Sequence, residues 1–555
     1  MQSFTTAVTP RHGLAHRQRL ASSFMLVATL ALSGTPMAQV AGPLDSTRSA
    51  QRGSNEPVVP CESLTSLELR DTKIMSATFI PGGSYAPPDV VAVAAQVPGM
   101  VLTNMPAFCR VIGTIYPSIG FEMWLPSGSA WNGKFAATGS GGSGGYINYA
   151  QGPASKTGLA FNIRRGYAVA ATNQGHVINT TSWLLDPGLF VDWAFRANHE
   201  VAVRAKAIIK AHYGSQPKYS YFEGCSAGGW QGLIAAQRYP LDFDGIVAGA
   251  PGNGNFTARQ SNYVWSAHAV LKDPASMIPA AKLTTIRDAA MATCDSADGL
   301  VDGIISNPPA CAFNPKVLLC NQGDSNSCLT LGQILGLRKL YQGAVNPRTG
   351  ERLHPGYSVG GELSWGPLVR GPLDANAINF FSVAVFENPS WDWTAFDFGV
   401  DPEAARAKFG GIVNSDDPDL RPFRDRGGKL LMWHGWADQM VPSQATVDYY
   451  NAVIDVIAAE KPARNPLRAT QSFARLFMNP GVAHCTGGVG ADNIDLLPAL
   501  EQWVEQGVRP DRVTASKIVN GVTQFTRPLC PYPAVAMYEG GNPNAAESFA
   551  CRLPR

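Results

Sequence analysis

Gly224-Cys225-Ser226-Ala227-Gly228-Gly229 contains the spacing G-x-S-x-G. A serine so placed can act as a nucleophile if it sits on a tight strand-to-helix turn, where glycines allow the close backbone approach that the turn demands. The flanks supply both elements, with the apolar run YSYFE before the motif and a helical pattern from near Gly229 through Gln231 to Arg238. The competing reading is a serine in a glycine-rich loop. A hydroxyl is a weak nucleophile, so the chemistry also requires a base and a carboxylate to orient it. In chains built on this turn the acid and then the base follow the serine, each on a loop after a strand. Asp438 ends the stretch KLLMWHGWAD and His484 ends ARLFMNPGVAH, which satisfies that order. Seven other histidines, from His12 to His354, precede the acid by a wide margin, and His434 lies in the strand end just ahead of it. Chain order therefore selects His484, and leaves His434 as a structural histidine.

The same residues organise part of the cysteine set. Of ten cysteines, Cys225 precedes the candidate nucleophile and Cys485 follows the candidate base. If the three residues assemble, these two are neighbours, and a bond between them would hold serine and histidine in register. Two independent buried thiols are the alternative. An acyl transfer also needs backbone donors for its oxyanion, and the N–H of Ala227, the residue after the serine, is the expected one. A glycine-rich loop, Gly139 to Gly145, follows the short strand at Lys134 to Ala137 and can supply a second. No G-K-[ST] follows it, which disfavours a phosphate-binding loop, and a plain surface turn is the other reading. Further along, Cys294-Asp295-Ser296-Ala297-Asp298-Gly299-Leu300-Val301-Asp302-Gly303-Ile304 crowds three carboxylates together. Such oxygen-rich density needs a cation or solvent and suits Ca²⁺, although the closing Glu of an EF-hand is absent.

The elements that must position these groups read as α/β. Strands are expected at Phe121 to Leu125, Lys134 to Ala137, Tyr167 to Thr172, Tyr219 to Glu223, Gly245 to Ala248, Leu430 to His434 and Ala474 to Met478. Apolar residues from Val201 to His212 at helical spacing, closed by Gly214, mark a crossover helix, so the sheet is expected to be mainly parallel. The stretch 253–416 breaks this rhythm with four cysteines and many Pro, Gly, Trp and Phe, and reads as an insertion. The catalytic domain then comprises residues 61–252 and 417–555.

At the N-terminus, Arg11, Arg17 and Arg19 precede an apolar run from Phe24 to Leu32 and small residues at Gly34, Ala38 and Ala41. Residues 1–38 read as an export signal, with cleavage between 38 and 41, because the apolar run is too short to span a bilayer. A polar lead-in from Gln39 to Pro60 follows. Of 555 residues, 44 are basic and 42 acidic, for a net charge of +2; loss of the three arginines leaves 41 against 42, or −1. That balance offers no field for a nucleic acid, and no later segment is apolar enough to cross a membrane. A secreted or periplasmic, disulfide-bonded enzyme is expected.

Cys225-Ser226, Asp438 and His484-Cys485, together with WNGKF, GSGGSGG, DGIVAGAPG, FRDRGGK and RPLCPYP, resemble the tannase and feruloyl esterase family from about Cys61 to Cys551. The resemblance implies an α/β-hydrolase core with an inserted lid domain, a serine esterase mechanism, and small esters of aromatic acids as substrates. It implies the bridges Cys61 with Cys109, Cys294 with Cys311, Cys320 with Cys328 and Cys530 with Cys551. The second oxyanion donor would be Gly141, with Gly142 the near alternative. A structural Ca²⁺ in the lid would take the side chains of Asp295, Asp298 and Asp302 and the carbonyls of Leu300 and Ile304. Lid aromatics such as Phe380, Phe381, Phe386 and Trp391 could offer an acyl slot, as could Met440 and Val441 beside the acid, while Arg370 is the candidate for holding a substrate carboxylate. Feruloyl, other hydroxycinnamate or gallate esters are the expected substrates, with terephthalate monoesters the alternative and a non-catalytic secreted binding protein a remote third.

Overall fold

Short apolar runs punctuated by Gly or Pro become nine strands of one sheet: β1 (Thr72–Ile80), β2 (Phe108–Ile115), β3 (Ile119–Pro126), β4 (Lys134–Thr138), β5 (Ala168–Thr172), β6 (Tyr219–Cys225), β7 (Gly245–Gly249), β8 (Lys429–Gly435) and β9 (Ala474–Asn479). This computed structural model describes residues 56–554 except 89, 91, 93–95, 151–155, 253 and 461–464. The expected export signal and most of the lead-in lie outside the described residues. The strand order is β1-β2-β3-β5-β4-β6-β7-β8-β9. From β4 to β9 the strands pair in parallel, whereas β1, β2 and β3 pair antiparallel and join the rest through β5. All seven expected strands are present. β1 and β2 lie outside that expected set: β1 is a half-exposed edge strand whose register shifts between Ile74 and Ser76, which blurs its two-residue period.

Parallel strands need crossovers, and these cover both faces. Every residue of β5 and β7 is buried. One face packs on α1 (Ala197–Tyr213), which contains the expected helix and ends on left-handed Gly214, on α2 (Ala227–Arg238), and on Val447 and Tyr450 of α6 (Gln444–Glu460). The other face packs on Leu497, Leu500 and Trp503 of α7 (Leu497–Gln506).

Between β7 and β8 runs the long insertion, with helices α3 (Phe256–Val270), α4 (Leu283–Cys294) and α5 (Leu331–Gln342). Its aromatic core includes Phe256, Phe380 and Phe381, and is continuous with Trp183 and Trp193 from the β5–α1 connection and with Trp230 of α2. Buried aromatic contact therefore fixes the insertion beside the serine-bearing turn. Five disulfides pair all ten cysteines: Cys61–Cys109, Cys225–Cys485, Cys294–Cys311, Cys320–Cys328 and Cys530–Cys551. These match the expected set.

Candidate active site

Strand β6 ends at Cys225 and α2 starts at Ala227, so Ser226 occupies the whole turn, at φ 64° and ψ −123°. Such a backbone costs a non-glycine residue about 1–3 kcal/mol and persists only when its surroundings hold it. Here the Ser226 N–H donates to the Gly249 carbonyl at 3.0 Å, and its own carbonyl accepts from Trp230 and Gly252. The turn also needs glycine: a Cβ on Gly224 would lie 2.6 Å from the backbone of Gly228.

Loops after β8 and β9 bring the partners. His484 Nε2 lies 2.8 Å from Ser226 Oγ, and its Nδ1 lies 2.7 Å from Asp438 Oδ2. The bond Cys225–Cys485, with 6.0 Å between Cα atoms, ties the residues flanking serine and histidine. Asp438 is fully enclosed. Its Oδ1 accepts from the N–H groups of Met440 and Val441 at 2.8 Å each, and its Oδ2 also accepts from His434 Nε2 at 3.0 Å. His434 Nδ1 lies 2.7 Å from Thr446 Oγ1, so the hydroxyl can donate to it while Nε2–H faces the carboxylate. Burial alone would raise the Asp438 carboxyl, but the charge of His484 and the hydrogen bonds from His434 and His484 outweigh it and hold the group well below the usual carboxylate range. His434 thus contacts the acid, not the serine, as its place in the strand suggested.

Ser226, Ala227 and His484 open onto a cavity of about 490 Å³. Its walls include Trp183, Trp193, Phe256, Tyr263 and Phe380, with Arg259 and Gln260 on the α3 side and Gly141, Gly142 and Tyr146 from the loop after β4. Of the expected aromatics, Phe380 lines the cavity, while Phe381, Phe386 and Trp391 pack against one another. Met440 lines it too. Val441 does not: it is buried, and its N–H serves Asp438. Arg370 is exposed at the end of a short helix and away from the lining, so the cavity's arginine is Arg259 instead.

The glycine loop carries a second correction. The Gly141 N–H donates to the Tyr146 hydroxyl at 2.8 Å, so it is already engaged. Gly142, at φ 60°, lines the cavity, and its N–H and that of Ala227 meet no acceptor among the described residues. Chemically, then, the floor of the cavity presents a hydroxyl, an imidazole hydrogen-bonded to it, a buried carboxylate behind, and two free backbone donors alongside.

The acidic loop lies apart from this cavity. Asp295 accepts from the N–H groups of Gly303 and Ile304, Asp298 from Leu300, and Asp302 pairs with Arg527 at 2.6 Å. Burial raises the Asp298 carboxyl, hydrogen bonds from Ser306 and Leu300 oppose this, and the charges of Asp302 and Asp295 add to it. The donor set is all oxygen, as a hard cation requires. Among the described residues, no three His, Cys, Asp or Glu side chains converge as a cage, because these carboxylates turn towards backbone N–H groups and Arg527.

A mostly parallel sheet with a serine turn beneath an apolar cavity is the framework of an α/β-hydrolase, and the chain is a carboxylic ester hydrolase. The model of the family "Tannase and feruloyl esterase" matches residues 101–552, and the chain belongs to that family. It is 37% identical over 541 residues to an uncharacterized esterase of Xanthomonas campestris, covering 88% of this chain and 91% of the relative. It is 32% identical over 529 residues to the mono(2-hydroxyethyl) terephthalate hydrolase of Piscinibacter sakaiensis, covering 81% and 85%. Among solved structures, feruloyl esterase B from Aspergillus oryzae superposes with a TM-score of 0.79 at 30% identity, covering 89% of this chain and 99% of that one.

Tyr146, Trp183, Trp193, Arg259 and Gln260 are lining residues that the sequence reading does not single out. A clue for the last two is present: Phe256, Arg259, Gln260 and Tyr263 follow the i, i+3, i+4, i+7 spacing of one helix face.

Proposed function

We propose that the protein is an exported serine esterase that cleaves esters of hydroxylated aromatic acids, of the feruloyl, other hydroxycinnamoyl or galloyl kind. The observation that carries this reading is the hydrogen-bonded chain from Ser226 Oγ through His484 to Asp438 at the floor of an aromatic cavity. Ser226 attacks the ester carbonyl while His484 Nε2 takes its proton, and Asp438 orients the imidazole and stabilises its charged form. The oxyanion is held by the N–H groups of Ala227 and Gly142. Collapse expels the alcohol, which receives the proton from His484. Water, deprotonated by His484, then attacks the acyl-Ser226 ester and frees the acid. Residues 253–416 act as the lid that closes the acyl side of the cavity.

Ser226→Ala should lower kcat for methyl ferulate and methyl gallate by about 10⁴-fold or more. Retention of wild-type turnover by that variant would refute the mechanism. Terephthalate monoesters are the second reading, favoured by Arg259 in the cavity and by the named activity of the Piscinibacter relative. Side-by-side kcat/KM values for methyl ferulate, methyl gallate and mono(2-hydroxyethyl) terephthalate decide between the two. Export is supported by the ten paired cysteines and the N-terminal residue pattern. It predicts that sequencing the N-terminus of the mature protein finds its first residue among residues 39 to 42.

The acidic loop is proposed to bind a structural Ca²⁺ through Asp295, Asp298 and Asp302 with the Leu300 and Ile304 carbonyls. The crowded carboxylates, with Asp295 and Asp298 buried and Asp302 exposed, support this, since a cation would relieve their repulsion. Chelation should then lower the melting temperature of the wild type but not that of Asp295→Asn/Asp298→Asn. Identical melting with and without chelator in the wild type would remove calcium from the account.

A further inference from the structure

Helix α3 is enclosed by the insertion and the core, and its buried polar side chains are matched one by one. Thr257 Oγ1 donates to Asn255, Ser261 Oγ to the Thr257 carbonyl and Ser266 Oγ to the Asn262 carbonyl, while Asn262 Oδ1 accepts from the Ala344 N–H. Gln260 departs from this pattern, as does the Nε of its neighbour Arg259. The Gln260 side chain is fully buried, and neither Oε1 nor Nε2 meets a hydrogen-bond partner among the described residues. A buried amide left without partners on both atoms is destabilising, and native structures keep one only for a reason. The reason is at hand, because Gln260 lines the cavity that holds Ser226 and His484.

Two further lining atoms share this condition: Trp193 Nε1 and Arg259 Nε are buried donors without an acceptor among the described residues. Arg259 has no carboxylate partner among them either. Its Nη1 donates to the Tyr263 hydroxyl at 3.2 Å, and its guanidinium lies 5.6 Å from the Phe256 ring and 5.2 Å from that of Tyr263. A Cβ placed on Gly252 would lie 3.3 Å from Arg259 Nη1 and 3.6 Å from the backbone of Ser226, so this polar face stands beside the nucleophile.

We propose that Gln260 is a specificity-determining residue that recognises a hydroxyl group on the aromatic ring of the substrate. Its Oε1 accepts the phenolic O–H and its Nε2 donates to the same or an adjacent ring oxygen, with Trp193 Nε1 and Arg259 Nε as supporting donors. A ring carboxylate fits less well, since it offers only acceptors and would set its lone pairs against those of Oε1. The aromatic neighbours Phe256 and Tyr263 on the same helix face argue that the hydroxyl is carried on a ring. The inference rests on the esterase reading and deepens it.

Methyl 4-hydroxycinnamate and methyl cinnamate differ only in the ring hydroxyl. The wild type should favour the former in kcat/KM by about tenfold or more, because a site built around a hydroxyl leaves its own groups unpaired when that hydroxyl is missing. Gln260→Met should bring the ratio close to one. Should that variant not fold, Gln260→Asn withdraws the amide by one methylene and should reduce the ratio in the same direction. A ratio that the substitution leaves unchanged, or a wild-type preference for monomethyl terephthalate over methyl 4-hydroxybenzoate, overturns the proposal. Calorimetry on Ser226→Ala gives an arm that needs no turnover: 4-hydroxycinnamate should bind about tenfold more tightly than cinnamate, and the preference should vanish in Ser226→Ala/Gln260→Met. Equal binding of the two acids by Ser226→Ala sinks the role of Gln260. If the wild type hydrolyses no ester, the esterase reading falls, and the calorimetric arm still decides the role of Gln260.

Discussion

Asp438 is the residue on which the proposed chemistry depends most heavily, because every hydrogen bond it accepts serves to keep it ionised. Two backbone N–H groups hold Oδ1, and two imidazoles share Oδ2. Asp438→Asn should cut kcat by about 10⁴-fold, since an amide can present its NH₂ to His484 Nδ1 and favour the wrong tautomer. His434 acts one step further back, as a positioning residue. His434→Phe removes a hydrogen bond to a buried charge, an interaction typically worth about 1.5–3 kcal/mol, so kcat should fall roughly tenfold to a hundredfold. KM should stay nearly constant, because the loss is felt mainly when charge develops on His484. A rise in KM with unchanged kcat would place His434 in substrate binding instead. Both substitutions are read by steady-state kinetics on one aromatic ester.

At the scale of elements, the site is a meeting of three strand ends, and the disulfide Cys225–Cys485 links two of them across 260 residues of chain. Cys225→Ala/Cys485→Ala should lower unfolding free energy by roughly 2–5 kcal/mol, measured in urea, because the unfolded chain regains the freedom that the cross-link removes. It should also lower kcat in the folded fraction, as the Ser226–His484 register loosens. Full activity together with wild-type stability would show the bond to be incidental. This much is legible in the chain: G-x-S-x-G between an apolar run and a helical pattern needs no tertiary information, and neither does the adjacency of Cys225 and Cys485 to Ser226 and His484. What is not legible depends on which distant group reaches which atom. Gly141 and Gly142 look alike in sequence, yet only the fold brings the Tyr146 hydroxyl to the first. Arg370 and Arg259 are equally plausible cations in one dimension, and the insertion exposes one and turns the other to the cavity. Helix α3, FTARQSNYVWSAHAV, has no apolar stripe because it is surrounded on all sides, so amphipathic spacing could not mark it.

Taken over the whole molecule, two buried carboxylates beneath the serine turn give stability opposite dependences on pH. Asp438 has its folded pKa depressed, so its contribution is present above the ordinary carboxylate range and is lost as pH falls through the folded value. Glu223, on β6 three residues before Ser226, goes the other way. Burial pushes its carboxyl from an ordinary 4.5 up to about 7, against a hydrogen bond from Asn162 and the charge of Arg165, and with some help from Asp495. Between those two values this site binds more protons in the folded state than in the unfolded chain, so the contribution of Glu223 to stability falls as pH rises from 4.5 to about 7 and then levels. Ionising a carboxyl held that far above its ordinary range costs the fold roughly 3 kcal/mol. Glu223→Gln keeps the shape and the hydrogen-bonding capacity of the protonated acid but cannot ionise. Urea unfolding at several values from pH 4.5 to about pH 8 should therefore show the wild type losing stability relative to the variant as Glu223 ionises, while the buried His176, His212 and His354, whose burial lowers their pKa to about 4, raise the stability of both proteins alike up to their ordinary 6.5. The acid limb, below the ordinary carboxylate range, should be common to both, because it belongs to Asp438 and other paired carboxylates. Parallel curves across the upper window would mean that Glu223 ionises at the same pH folded and unfolded, and that the strand carrying the nucleophile tolerates the charge.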